Sequence, residues 1–267
     1  MARGFPMKLV LGLTLLAAIS MPTFAAPFIV AHRGASGEAP ENTLAAYKLA
    51  WEQGADAIEG DFHLTKDGVI VSFHDRNTKK RCGVDLEIRT STHAELSKLD
   101  VGKWKAPKFA GLRMPTLGQV LATVPKGKAI YIEIKCGPEA VPALLTDVEE
   151  SGLKDDQIVV ISFNESVIAA VKKSRPQWTA NWLVGFDLKD PSDLDTQLPQ
   201  VLKTLKKVGA DGLGSNAHPA FTRKHVEQLR TAGFAHHVWT VNDPVQAQAF
   251  LKIGTQSITT DFPGSLR

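Results

Sequence analysis

Short apolar runs rich in Val and Ile alternate along the chain with stretches whose apolar residues recur at helical spacing. The runs fall at 27–34, 57–61, 128–135, 157–163, 179–184, 211–215, 236–241 and 257–261. Each is five to eight residues long, the length of a buried strand rather than of a helix. Helical spacing fills 42–54, 116–124, 139–151, 165–174, 198–208, 222–232 and 244–253. The first of these shows the signs most plainly: Asn42 as N-cap, Leu44, Tyr47, Leu49 and Ala50 as the apolar stripe, and Gly54 as the stop. Thr116 is placed to cap the second, and Pro142 interrupts the third near its start. Eight strands, with a helix after all but the last, predict an α/β fold, a (β/α)8 barrel of the TIM type. An open doubly wound sheet is the rival, but no glycine-rich dinucleotide fingerprint follows the first strand.

Two stretches break the alternation. From Ile58 the chain runs through Glu59 and Asp61, then Thr65-Lys66-Asp67-Gly68, and returns through Val69, Ile70 and Val71 to His74 and Asp75. An Asp-Gly turn between alternating apolar residues predicts a hairpin. The segment 76–115 is basic early, at Arg76, Lys79, Lys80 and Arg81, weakly periodic at 94–99, and carries Trp104, Pro107 and Phe109. It is too long for a plain loop, so a small insertion or lid is expected after the second strand.

Residues 1–25 have the form of a secretory signal: Arg3 and Lys8, then an apolar core at 9–19, then small residues at Thr23 and Ala25. That core is too short to span a bilayer, which takes about 20 residues. Cleavage after Ala25 leaves 26–267 as the mature chain, secreted or periplasmic, with no integral membrane segment. Export makes a disulfide between Cys82 and Cys136 possible; two free buried thiols are the other reading. A net charge of +3 is too small to point to nucleic acid or an anionic membrane as partner, and fits a small anionic molecule.

In a barrel of this type the chemistry collects at the carboxyl ends of the strands. Those ends carry His32 and Arg33, Glu59 and Asp61, Glu133 and Lys135, Ser162 and Phe163, Trp239 and Asn242, and Thr260 and Asp261, with His74 returned by the hairpin. Glu59 and Asp61, two apart on a strand, share a face. Burying both unpaired is costly, and a bound cation removes the cost. Three carboxylates (Glu59, Asp61, Glu133) without a Cys or His ligand pattern suit a hard divalent cation, Ca2+ or Mg2+. Arg33 and Lys135 supply positive charge suited to phosphate oxygens. His32 and His74 complete an acid–base set, since imidazoles exchange protons near neutral pH. Together these groups describe phosphodiester hydrolysis. Phe163 and Trp239 are candidate substrate contacts; His236 and His237, at the start of their strand, read as structural.

The same residues carry a resemblance. His32-Arg33-Gly34, Pro40-Glu41-Asn42-Thr43, Gly54-Ala55-Asp56 leading to Glu59 and Asp61, Leu64-Thr65-Lys66-Asp67-Gly68, His74-Asp75, Glu133-Ile134-Lys135, Trp239-Thr240-Val241-Asn242 and Thr260-Asp261 stand in the order seen in glycerophosphodiester phosphodiesterases. The chain resembles that family over nearly its whole mature length. The resemblance implies a phospholipase C-like barrel with Ca2+ or Mg2+ on Glu59, Asp61 and Glu133, His32 and His74 as the acid–base pair, and phosphate on Arg33 and Lys135. It also implies cleavage of deacylated phospholipids to sn-glycerol 3-phosphate and an alcohol, with the substrate's own glycerol hydroxyl as nucleophile, through a cyclic phosphate. The sequence departs from the family in two places. Arg76 to Cys82 replaces a usual Leu and Arg-Thr-Thr run, which bears on head-group preference. Gly60 stands where Val is common, a change expected to be neutral for catalysis. The alternatives are a lysophospholipase D-like activity on acylated substrates and a non-catalytic phosphate or glycerol binding barrel.

Overall fold

The computed structural model describes Met1 and residues 28–267. Apart from Met1, the export signal expected over 1–25 lies outside the described residues. The strands are β1 (Phe28–Ala31), β2 (Ala57–Leu64), β3 (Ile70–Ser72), β4 (Ala129–Ile134), β5 (Ile158–Ser162), β6 (Thr179–Val184), β7 (Gly212–Asn216), β8 (Ala235–Trp239) and β9 (Ser257–Thr260). All but β3 run parallel, and the pairing of β1 with both β2 and β9 closes them into an eight-stranded barrel. The helices are α1 (Leu44–Glu52), α2 (Lys79–Cys82), α3 (His93–Leu96), α4 (Leu117–Leu121), α5 (Val141–Ser151), α6 (Glu165–Ser174), α7 (Asp193–Val208), α8 (Arg223–Thr231) and α9 (Pro244–Ile253).

The strand period of two divides each strand between two cores. On β4, Ile130, Ile132 and Ile134 pack outward in the layer shared with the helices. Ala129 and Tyr131 pack inward with Val30, Val159, Ile161 and Leu183. Glu133, next in the inward series, is delivered to the mouth of the barrel by the same alternation.

β3 is an antiparallel appendage on β2, in the register Phe62↔Ser72, His63↔Val71, Leu64↔Ile70. The turn is built as the Asp-Gly signal requires. Gly68 has a φ of 84°, and the Thr65 hydroxyl accepts the Val69 N–H while donating to Asp67. After the turn, the segment up to Pro115 contains α2, α3 and single 3-10 turns. It has an apolar cluster of its own, in which Ile88, Leu96, Leu99, Val101 and Met114 pack on Val71 and Phe73 of the hairpin. Arg81 lies flat on Trp104, 3.9 Å from the ring centre, and reaches Glu41 at 3.1 Å. The insertion is thereby tied to the loop that follows β1.

Three local expectations change. Thr43, not Asn42, caps α1, because Asn42 sits at φ 60° with its amide engaged elsewhere. Pro142 does not interrupt α5; it occupies the first turn, where its missing N–H costs nothing. α7 begins at Asp193, five residues before the apolar spacing becomes visible, with Asp193 and Asp195 in its favourable first turn and Pro199 inside it. Of the two readings open for Cys82 and Cys136, the free thiols are what the structure holds, both half-buried. Among the described residues, no helix is long and apolar enough to cross a membrane.

Candidate active site

The site is assembled around the chain reversal after β1. Arg33 and Gly34 both have positive φ, 55° and 81°. A Cβ on Gly34 would lie 2.5 Å from the backbone of Ala46, so only glycine fits between the loop and α1. The reversal aims the Arg33 N–H at Glu59 Oε2, 2.8 Å away. The Arg33 side chain lies between acids, with Nε 3.1 Å from Asp61 and Nη1 3.3 Å from Glu41. The Asp61 contact is an ion pair without hydrogen-bond alignment.

Glu59 and Asp61 leave β2 toward the axis, and Asp61 is the register partner of Glu133 on β4. One carboxylate oxygen from each lies within 4.8 Å of the other two. All three residues are buried, at 3%, 1% and 8% exposure. Burial, then the neighbouring acids, pushes Glu59 well above its ordinary range and Glu133 up to about 7. Burial would raise Asp61 too, but Arg33, Lys135 and His74 outweigh it and bring Asp61 down to about 2. Lys135 Nζ is 2.8 Å from Glu133 and 3.4 Å from Asp61. Burial disfavours the charges of Arg33 and Lys135, yet the acids raise both cations above their usual values. Even so, Glu59 Oε1 is buried without a hydrogen-bond partner among the described residues. An orphaned carboxylate oxygen among three converging acids is what a hard divalent cation would satisfy, and the all-oxygen donor set fits one.

Asp61 is held from below. Asn42 donates its amide to Asp61 Oδ2 at 2.8 Å and accepts the Asp61 N–H at 3.0 Å. The same Asn42 oxygen accepts from the Tyr47 hydroxyl, which also meets Ser72 at 2.8 Å. A Cβ on Gly60 would collide with that Tyr47 hydroxyl. The glycine between the two acids therefore makes room for a hydroxyl under the site.

Each imidazole is oriented by a carboxylate. His32 Nδ1 is 2.7 Å from Asp261, which Ser36 and Asn242 also hold. His74 Nδ1 is 2.7 Å from its neighbour Asp75. Burial would raise both carboxylates, but these contacts hold each below its usual range. An ionised carboxylate only accepts, so Nδ1 carries the proton and Nε2 is left for chemistry. Phe163 is 46% exposed and packs edge-on against Trp239, with ring centres 5.5 Å apart, so that the two form an apolar lip.

All the expected site residues gather at this one end of the barrel. His32, His74, Arg33, Lys135, Phe163, Trp239, Glu59 and Glu133 border a single chamber of about 140 Å3, and Asp61 pairs with two of them. A wider groove of about 1270 Å3 leads away from His74 and Lys135 between Arg76, Lys80 and Arg89 of the insertion and Glu139 after β4. His236 is structural, as its place in the strand suggests, bonded to Ser215 and Thr255. His237 is not only structural, since it too faces the chamber. The orienting roles of Asp261, Asp75 and Asn42 were not legible beforehand. The adjacency His74-Asp75 and the rim position of Asp261 were the available signals.

Residues 32–265 match the Glycerophosphoryl diester phosphodiesterase family. The chain is 31% identical over 246 residues to a glycerophosphodiester phosphodiesterase of Caldanaerobacter subterraneus, covering 89% of this chain and 95% of that one. It is 30% identical over 251 residues to one from Bacillus subtilis, covering 88% and 83%. In structure it is similar to an Oleispira antarctica phosphodiesterase solved with the product sn-glycerol-3-phosphate. The TM-score is 0.80 at 27% identity, and the match covers 90% of this chain and 95% of the other.

Proposed function

Because the chain belongs to the glycerophosphoryl diester phosphodiesterase family, we propose that it hydrolyses glycerophosphodiesters to sn-glycerol 3-phosphate and an alcohol. The observation that carries this reading is the convergence of three buried acids on one point, in a chamber that two carboxylate-oriented imidazoles also enter. Glu59, Asp61 and Glu133 would hold a divalent cation, Ca2+ or Mg2+, whose positive charge offsets the charge that builds on phosphoryl oxygens. Arg33 and Lys135 bind and orient the phosphate, the first through two oxygens at once. One imidazole takes the proton of the substrate's glycerol hydroxyl through Nε2 as that oxygen bonds to phosphorus. The other gives a proton to the alcohol oxygen as its bond to phosphorus breaks. Water then opens the cyclic phosphate with the two roles exchanged. No protein nucleophile is required.

Glycerophosphocholine is the direct test. Release of glycerol 3-phosphate is expected, with loss of nearly all turnover in a chelator and recovery on adding Ca2+ or Mg2+. Turnover unaffected by the chelator would remove the cation from this scheme. We also place the enzyme outside the cytoplasm, on the form of residues 1–25. N-terminal sequencing of the exported protein should begin at Ala26; a chain retained in the cytoplasm with its first 25 residues intact would refute this.

A further inference from the structure

Opposite the acids the barrel wall is neutral and hollow. β7 turns Gly212 and Gly214 toward the axis. A Cβ on Gly212 would lie 2.8 Å from Asn181 Oδ1, and one on Gly214 would lie 2.5 Å from Leu183 and 3.7 Å from the Trp239 indole. The two glycines make room for the inward side chains of Asn181 and Leu183, and past Gly214 the chamber of about 140 Å3 continues from Glu59 and Glu133 to Asn181 and Trp239. That volume is about ten times the roughly 10–15 Å3 that one ordered water needs.

Asn181 is the anomaly of this wall. It is 1% exposed, and neither its amide nitrogen nor its oxygen has a partner among the described residues. The Trp239 Nε1 is likewise buried and unpartnered. Nearby polar groups are matched: His236 with Ser215 and Thr255, His237 with Ser257, and Ser162 with the Ile134 carbonyl. Buried amides are ordinarily hydrogen-bonded, so an exception that borders an open chamber points to a ligand.

We propose that this well binds the hydroxyl-bearing three-carbon end of the glycerophosphate, with Asn181 as its polar anchor and the Trp239 indole N–H as a second donor. The proposal rests on the glycerophosphodiester reading above and extends it. An amide offers both an acceptor and donors, and so matches a hydroxyl, which is both. Ile161 and Leu183 supply apolar walls for the carbon chain. Among the described residues, the carboxylates that line the chamber, Glu59 and Glu133, stand at its other end, so a quaternary ammonium would find no counter-charge beside Asn181. The departing alcohol is left to the groove beside the insertion. The well and the groove together would set which way round the diester binds, and so which ester bond breaks.

The test is calorimetric binding of sn-glycerol 3-phosphate and of inorganic phosphate to the whole chain in Mg2+. Wild type, Asn181→Leu and Asn181→Ala are compared, with glycerophosphocholine turnover measured in parallel. Wild type is expected to bind glycerol 3-phosphate more tightly than phosphate. Both variants should lose roughly tenfold or more of that preference while their phosphate affinity stays unchanged. Equal binding of the two ligands by wild type, or an unchanged preference in the variants, overturns the well. Should Asn181→Leu fail to fold, Asn181→Ala decides alone. Normal turnover without a polyol preference sinks the well and spares the reaction. A polyol preference without turnover does the opposite.

Discussion

The two halves of the barrel mouth are built on opposite principles. On the side of β1, β2 and β4, five ionisable side chains (Arg33, Glu59, Asp61, Glu133 and Lys135) are packed against one another in ion pairs and hydrogen bonds, and the orphaned atoms there, Glu59 Oε1 and Arg33 Nε, belong to charged groups. On the side of β6, β7 and β8, no acid, Lys or Arg lines the chamber among the described residues. That wall offers glycines, an unpaired amide and an indole. On the proposed reading, the charged half would meet the phosphorus, where electrostatic stabilisation must be fixed in advance of the reaction. The neutral half would sort what the phosphorus carries, since hydroxyl recognition needs shape and hydrogen bonds rather than field. One barrel would thus divide catalysis from selection by which strands carry charged side chains at inward positions and which carry neutral ones.

The contrast can be broken most severely on the charged side. Asp61→Asn removes a converging carboxylate while keeping its shape, and turnover should fall on the order of 10^3-fold. Glycerophosphocholine kinetics at saturating Mg2+ would measure this. A loss of only a few-fold would show that the acids are not where the chemistry is organised, and the two halves would no longer differ in kind.

Proton linkage sharpens the comparison with a smaller effect. Glu133 is held at about 7 against an ordinary 4.5, and Glu59 is raised in the same sense, so each folded acid keeps a proton that the unfolded chain has lost. Stability of the cation-free protein should therefore fall as pH rises from about 4.5 to about 7. Asp61 works the other way. Brought down from 3.8 to about 2, it adds stability above 3.8 that is lost as pH falls toward 2. Ca2+ or Mg2+ requires the acids ionised, so affinity should climb with pH up to about 7 and the fall in stability should disappear when the ion is saturating. Thermal unfolding against pH, with chelator and with ion, reads both; a melting temperature indifferent to pH between 4.5 and 7 in chelator would contradict the strain assigned to the acids.

The smallest effect belongs to the support beneath the acids. Tyr47→Phe deletes the hydroxyl bonded to Asn42 and Ser72, at a cost of about 1 kcal/mol. The melting temperature should drop by about 2–4 °C, and turnover by a few-fold. If the same change left stability intact, the bonds of Asn42 to Asp61 and Ser72 would suffice to hold it in place.

Much of the charged half is legible before folding is considered. Glu59 and Asp61 are two apart on a strand, Glu133 and Lys135 are another such pair, and the Asp-Gly turn returns His74 to them. Period two and turn chemistry are local rules, so a one-dimensional pattern carries them. The neutral half is not legible in this way. Nothing near Asn181 marks it as different from any polar residue on a strand, and Gly212 and Gly214 read as weak points of a sheet rather than as room for the side chains of Asn181 and Leu183. Likewise Asn42 looks like a helix cap until its φ of 60° shows where its amide goes, and His32 stands 229 residues from the Asp261 that orients it.

By itself, then, the amino-acid order decided the barrel, its hairpin and the identity of the groups that could act, because alternation, turn formation and residue chemistry are properties of neighbours along the chain. Only the tertiary structure decided that three acids share one point, that Asp261 reaches His32, and that Gly212 makes room for the Asn181 amide. Those are relations across the closed barrel. Closure sets residues on different strands face to face regardless of their separation in sequence.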